Sequence, residues 1–141
     1  MKENHHEVQL PDYLLVNPGL KTDPVKKQGE IGFIVAAIVN TDEFYVGFAD
    51  HEVGFYSADA LLTLKKSGQI YDMMDENALH LSVNDFKDLK NIALFQEYCS
   101  ADGQRYALEI VQKNPGLIPV ALVTLEEILG LNQTPKRGRS N

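Results

Sequence analysis

The sequence predicts an α+β fold: a small five-stranded β-barrel in the N-terminal half, packed against a C-terminal bundle of about three short helices. Three observations carry this. Residues 30–66 hold short β-branched and aromatic runs separated by polar turns. Residues 82–130 change to helical spacing with capping residues at the starts. The run Ile31–Val39 is apolar at every position but Gly32, so both of its faces need cover, one from inside a barrel and one from helices.

The elements follow in order. Residues 1–11 are polar and read as a flexible end. Tyr13–Val16 is the first strand, stopped by Asn17-Pro18-Gly19. Ile31–Val39 is the second; strict alternation places Ile31, Phe33, Val35, Ala37 and Val39 on one face and Ile34, Ala36 and Ile38 on the other. Phe44–Phe48 and Val53–Tyr56 follow across turns of hairpin length, and Leu61–Leu64 is the fifth. Strands this short and this closely spaced suggest closure, which removes exposed edges. Residues 67–81 read as a linker. Ser82 caps a helix with Val83, Phe86, Leu89, Ile92 and Ala93 on one face. Asp102 and Gly103 begin a second helix that stops before Asn114-Pro115-Gly116. Thr124 and Glu127 form a capping box for a third, with Gly130 at its C-cap. The helical subdomain spans 82–131, and residues 132–141 read as a disordered basic tail.

The chain has 141 residues, enough for one domain with a real core. Its 44% hydrophobic and 23% charged content is that of a globular protein. A net charge of −7 argues against a broad phosphate-binding face. No apolar run reaches the roughly 18 residues of a membrane span, and the N-terminus lacks a signal-peptide core. The single cysteine, Cys99, has no internal disulfide partner, which fits a reducing, cytoplasmic setting and reads as a small buried hydrophobe.

Lys27-Gln28-Gly29-Glu30-Ile31-Gly32-Phe33-Ile34 contains Gly-x-x-Gly-x-Ile after a lysine, followed by Val46-x-Phe48 and by Gly54-Phe55-Tyr56 leading to Leu61-Leu62. Over residues 12–66 this resembles the KOW motif and its surrounding SH3-like small barrel. Gly29 suits a turn with positive φ, and Gly32 a place where a side chain would clash. The resemblance implies loops that contact RNA or protein. Residues 30–72 carry two lysines against seven acids, so the balance favours protein.

The candidate ligand-binding set is Tyr45, Asp50, His51, Tyr56 and Asp59. Asp42, Glu43, Asp50, Glu52 and Asp59 fall at strand ends. With Phe44, Val46 and Phe48 inward, Tyr45 points outward, and Tyr56 is expected to join it outside. Tyrosine faces beside carboxylates suit a cationic or proline-containing peptide, as in the aromatic cages of the related Tudor barrels. Lys21, Lys26 and Lys27, with Lys136, Arg137 and Arg139 of the tail, form the alternative nucleic-acid contact set.

Other chemistry is set aside. His51-Glu52-Val53-Gly54-Phe55 lacks the second histidine of a zinc protease motif, and His5 and His6 lack further ligands. His80 has no obvious partner. Gly29-x-x-Gly32 runs into a strand without the lysine and hydroxyl of a phosphate loop. Asp72, Asp75, Glu76 and Asp85 do not match a calcium loop. No metal or cofactor is expected. The leading reading is a non-enzymatic binding protein with a protein or peptide partner, the carboxylates favouring a basic one. RNA or ribosome association is the alternative, and a small enzyme with a site assembled only in space is the third.

Overall fold

A computed structural model of the chain describes residues 10–98 and 100–130. The α+β class holds, but the barrel does not. Six antiparallel strands form one open sheet: β1 (Tyr13–Val16), β2 (Ile31–Ile38), β3 (Glu43–Gly47), β4 (Val53–Tyr56), β5 (Leu61–Leu64) and β6 (Leu122–Thr124). Their order is β4-β3-β2-β1-β5-β6. The five expected strands form, yet β1 pairs with both β2 and β5. The remaining edge of β5 is taken by β6, so no strand reaches β4 to close the sheet.

Five helices accompany the sheet among the described residues: α1 (Ser67–Glu76), α2 (Val83–Glu97), α3 (Ala101–Lys113), α4 (Ile118–Ala121) and α5 (Leu125–Leu129). The expected starts of α2 and α5 are borne out by their caps. Ser82 Oγ accepts from the Asp85 N–H at 3.0 Å, and Thr124 Oγ1 from the Glu127 N–H at 3.1 Å. Ser100, not Asp102, caps α3, its Oγ accepting from the Gly103 N–H at 2.9 Å. Gly130 ends α5 at φ 75°, the left-handed C-cap its position suggests. The expected linker 67–81 instead contains α1, which buries Ile70 and Met74 one turn apart.

The sheet separates two apolar cores. On its outer face, Leu15, Leu62, Leu64 and Leu122 meet Ile70 and Met74 of α1, Leu89 and Ile92 of α2, and Leu108 and Val111 of α3. On its inner face, Leu14, Val16, Phe44, Val46, Phe48, Tyr56 and Leu61 pack together with Leu125 of α5. The register of β2 against β3 shifts between Ile34 and Ala36, so Val35 is a bulge. Past the bulge the alternation expected for β2 reverses. Ile34 and Ala37 both face inward, while Ala36 and Ile38, like Phe33, face outward. At Gly32 a Cβ would lie 2.4 Å from Val46 Cγ1 and 2.9 Å from the Gly47 carbonyl oxygen, so the inner core needs glycine there. Gly29 adopts φ 78°, as its turn requires.

Candidate functional site

The helices cover only part of the outer face. Residues that face each other across an antiparallel pair share a side, so the register defines the rest of that face. From β2 it receives Phe33, Val35, Ala36 and Ile38; from β3, Glu43, Tyr45 and Gly47; from β4, Val53 and Phe55. Only Glu43 carries a charge. Helix α3 lies over β1, and its cover ends at Tyr13 and Ile31. Beyond that line Phe33 is 40% exposed, Val35 50%, Ile38 48%, Val53 52% and Phe55 58%. The expectation that helices would cover the outward face of β2 is therefore corrected: they cover β1, β5 and the first residue of β2, and the remainder is bare.

The bare face is ordered by ring packing. Tyr45 lies 5.2 Å from Phe55, centroid to centroid, and Phe33 meets Tyr13 edge-on at 6.4 Å. Gly47 leaves room for the Phe33 ring, since a Cβ there would stand 2.9 Å from it. Where the face meets α3, a cleft of about 480 Å³ has a floor of Tyr13, Ile31 and Phe33 and a wall of Arg105, Glu109 and Gln112. The Arg105 guanidinium is held within its own helix, with Glu109 at 3.2 Å and the Tyr106 ring 4.8 Å from its centre. A second opening on the far side of Tyr13 and Phe33 is lined by Leu10, Pro11 and Ala101. Strand β4 is also an edge of the sheet. The ladder's hydrogen-bonded pairs alternate, and the Phe48 N–H donates to the Glu52 carbonyl at 3.0 Å. The backbone groups of Val53 and Phe55 therefore point away from β3.

The expected ligand set does not come together. Tyr45 is on the bare face, as alternation predicted. Tyr56 is not: it is 5% exposed and faces the inner core. Its hydroxyl donates to Asp23 Oδ2 at 2.7 Å, and Asp23 also accepts from the Val25 and Lys27 N–H groups at 3.1 Å. This staples the 17–30 loop to β4. Burial first, then the Asp23 carboxylate, pushes the Tyr56 phenol well above its ordinary range. Asp50 and His51 sit in the turn before β4 and Asp59 after it, at opposite ends of a four-residue strand. His51 has φ 73°, held by its N–H donating to the Phe48 carbonyl at 2.9 Å. Asp50 is occupied: Oδ1 accepts from the Glu52 N–H at 3.0 Å and Oδ2 pairs with Lys27 Nζ. The hydrogen bond with Lys27 is the largest cause of the Asp50 carboxyl lying below its usual range, and it raises the Lys27 ammonium in return. Asp59 accepts from the Ser57 hydroxyl, and Asp42 accepts from the Ala58 N–H at 2.8 Å.

Of the three lysines, Lys21 and Lys26 are exposed, the latter at φ 57°. Lys27 bends to Asp50 and lies 5.6 Å from the Phe48 ring centre. The tail residues Lys136, Arg137 and Arg139, as well as Cys99, His5 and His6, fall outside the described residues. Among the described residues no group of three or more His, Cys, Asp or Glu side chains is placed to hold a metal ion, and no helix is long and apolar enough to cross a membrane.

Comparison with known proteins finds no matching family, no similar curated protein and no similar solved structure. The KOW-type, SH3-like resemblance is thereby corrected on two counts: no family match supports it, and the sheet is open. Sequence reasoning passed over Phe33, Val35, Ile38, Val53 and Phe55 as site residues. Val53 and Phe55 lie on β4; for Phe33, Val35 and Ile38 the signal was present in a strand apolar on both faces. It was assigned to burial because helices followed in the chain.

Proposed function

We propose that the protein is a non-enzymatic interaction module whose working surface is the bare half of the outer sheet face, bordered by the cleft along α3. One observation carries this: a contiguous face of β2, β3 and β4 presents large apolar side chains to solvent with only Glu43 charged among its outward positions. A sheet face that meets only water alternates apolar-in with polar-out, and this one does not. Contiguous apolar patches of this kind mark surfaces that other macromolecules cover. The border favours a polypeptide over a nucleic acid. Glu30, Glu43 and Glu52 surround the face, while Lys27 and Arg105 are already paired with Asp50 and Glu109. The surface differs from the acidic tyrosine rim expected from the sequence, because Tyr56 is turned inward and Asp50 is engaged.

The test is a capture experiment with the tagged full chain, split into nuclease-treated and untreated halves, with an untagged copy of the chain included among the prey. Proteins retained after nuclease by the wild type and by Val83→Glu on α2, but lost with Phe33→Glu and Phe55→Glu, are the expected result. Retention by both face variants would refute the assignment. Loss of every partner on nuclease treatment would favour RNA association through Lys21 and Lys26.

A further inference from the structure

We infer that the occupant of the bare face is a second copy of this chain, packed face to face about a two-fold axis running along the strands. This rests on the reading of that face as an interaction surface. Three features point to a copy. First, residues 1–9 and 131–141 carry only Met1, Val8 and Leu131 as large apolar side chains, a composition that does not match so apolar a face. Second, the area fits. From the exposures of Phe33, Val35, Ile38, Val53 and Phe55, each copy would bury on the order of 400–500 Å² of apolar surface, taking about 150–250 Å² for a whole aromatic side chain. Two copies reach about 800–1,000 Å² before the border contributes, and the border has to bring the total past the roughly 1,000 Å² that a specific interface needs.

Third, the shape is a step. Helix α3 stands over β1 and the three strands beside it are bare. A packed sheet lies about 10 Å away, the height of one helix layer. The copy's bare strands therefore fit the level that α3 occupies. The two-fold then brings the copy's α3 beside the free edge of β4. Each α3 thus lies along the outward backbone groups of Val53 and Phe55 with the flank that carries Arg105, Glu109 and Gln112, where Arg105 is paired with Glu109 and Gln112 Nε2 donates to the Gly29 carbonyl at 3.0 Å. One arrangement covers both the uncharged face and the uncharged edge, the two liabilities of this sheet. It is isologous and closes on itself, so it stops at a dimer.

The border carboxylates Glu30, Glu43 and Glu52 give the dimer a signature. Like charges gather around the seam, so added salt strengthens it, whereas binding of a basic partner weakens with salt.

Sedimentation velocity on the full chain, from roughly 1 to 100 µM and from low to roughly 0.5 M salt, is the test. Twice the monomer mass, favoured by salt, is expected. Phe55→Glu and, independently, Val35→Lys should weaken the dimer at least about 100-fold, with an unchanged circular dichroism spectrum. Val83→Glu, on an exposed apolar residue of α2, should leave it intact. A monomer throughout the range, a dimer that ignores both face variants, or one that weakens with salt overturns the inference. A monomeric wild type that still captures another protein through Phe33 and Phe55 removes the second copy but keeps the interaction surface. A monomer without face-dependent capture removes both.

Discussion

Gly32→Ala and Gly68→Ala are the same chemical change, and the structure gives them opposite signs. At Gly32 the new methyl group would stand 2.4 Å from Val46 Cγ1, 2.8 Å from Phe48 Cε1 and 2.9 Å from the Gly47 carbonyl oxygen. Val46 is fully buried, and the carbonyl belongs to the β3 backbone, which is tied into the ladder on both sides. Neither can yield by a rotamer change. Overpacking of this kind costs about 2–3 kcal/mol. For a domain of this size that lowers the melting temperature by roughly 5–10 °C. At Gly68, inside α1, a Cβ meets nothing within 4 Å. Alanine there narrows the unfolded ensemble and suits the helix, a gain of about 0.5–1 kcal/mol. Gly47→Ala falls between them, because the atoms it meets are the far end of the exposed Phe33 ring. Urea unfolding of the three variants, compared by midpoint at constant slope, measures the order. A Gly32→Ala variant as stable as the wild type, or a Gly68→Ala variant less stable than Gly32→Ala, would refute the inner-core packing.

Tyr56→Phe removes a donor from the buried Asp23 carboxylate, which keeps its two backbone donors, and should cost about 1–2 kcal/mol in a urea melt at neutral pH. The Tyr56 phenol is raised in the folded state, so its contribution is complete below its ordinary value of 10.0 and is lost as pH rises above it. Melting temperatures of the wild type should therefore fall above pH 10.0 more steeply than those of Tyr56→Phe, and equal slopes would contradict the buried hydrogen bond. Ser82→Ala takes the cap from α2 and should lower stability by about 1 kcal/mol, read by thermal denaturation. Phe55→Ser changes an outward side chain, so at a dilution where the wild type is monomeric it should cost no more than about 1 kcal/mol, chiefly the Tyr45–Phe55 ring contact, read by urea unfolding. A loss of about 3 kcal/mol or more at that dilution would show that Phe55 is a core residue.

Local signals in the sequence suffice where the local chemistry is decisive. Ser82, Thr124 and Gly130 cap helices because their side chains or their freedom at positive φ settle the end by themselves. The five strands are legible from β-branched runs and turns. What failed depended on distant partners. Helix α1 offers Gly68 and few apolar residues, and only the burial of Ile70 and Met74 against the rest of the outer core makes it a helix. Strand β6 is three residues long and exists because β5 has an edge to fill. The bulge at Val35 leaves no mark in composition, yet it reverses the facing of every later residue of β2. For Tyr56 the alternation was sound and the side was wrong: its hydroxyl is satisfied by Asp23, far away in a loop that carries no helical or strand pattern. The bare face was legible as an apolar strand, while its exposure depended on which strand the helices chose to cover.

Leu125, fully buried in the inner core, and β6, which completes the edge of β5, both come from the last part of the described chain. During synthesis the first five strands therefore leave the ribosome with one hydrophobic compartment unstoppered and a strand edge open. Neither the compartment nor the edge can close until residues 122–125 have emerged. Long-range pairing of this kind is slow to form and exposes nascent chains to aggregation. Premature termination only a few residues upstream of β6 would thus yield, instead of a slightly shortened protein, a polypeptide recognised by chaperones and proteases as unfinished.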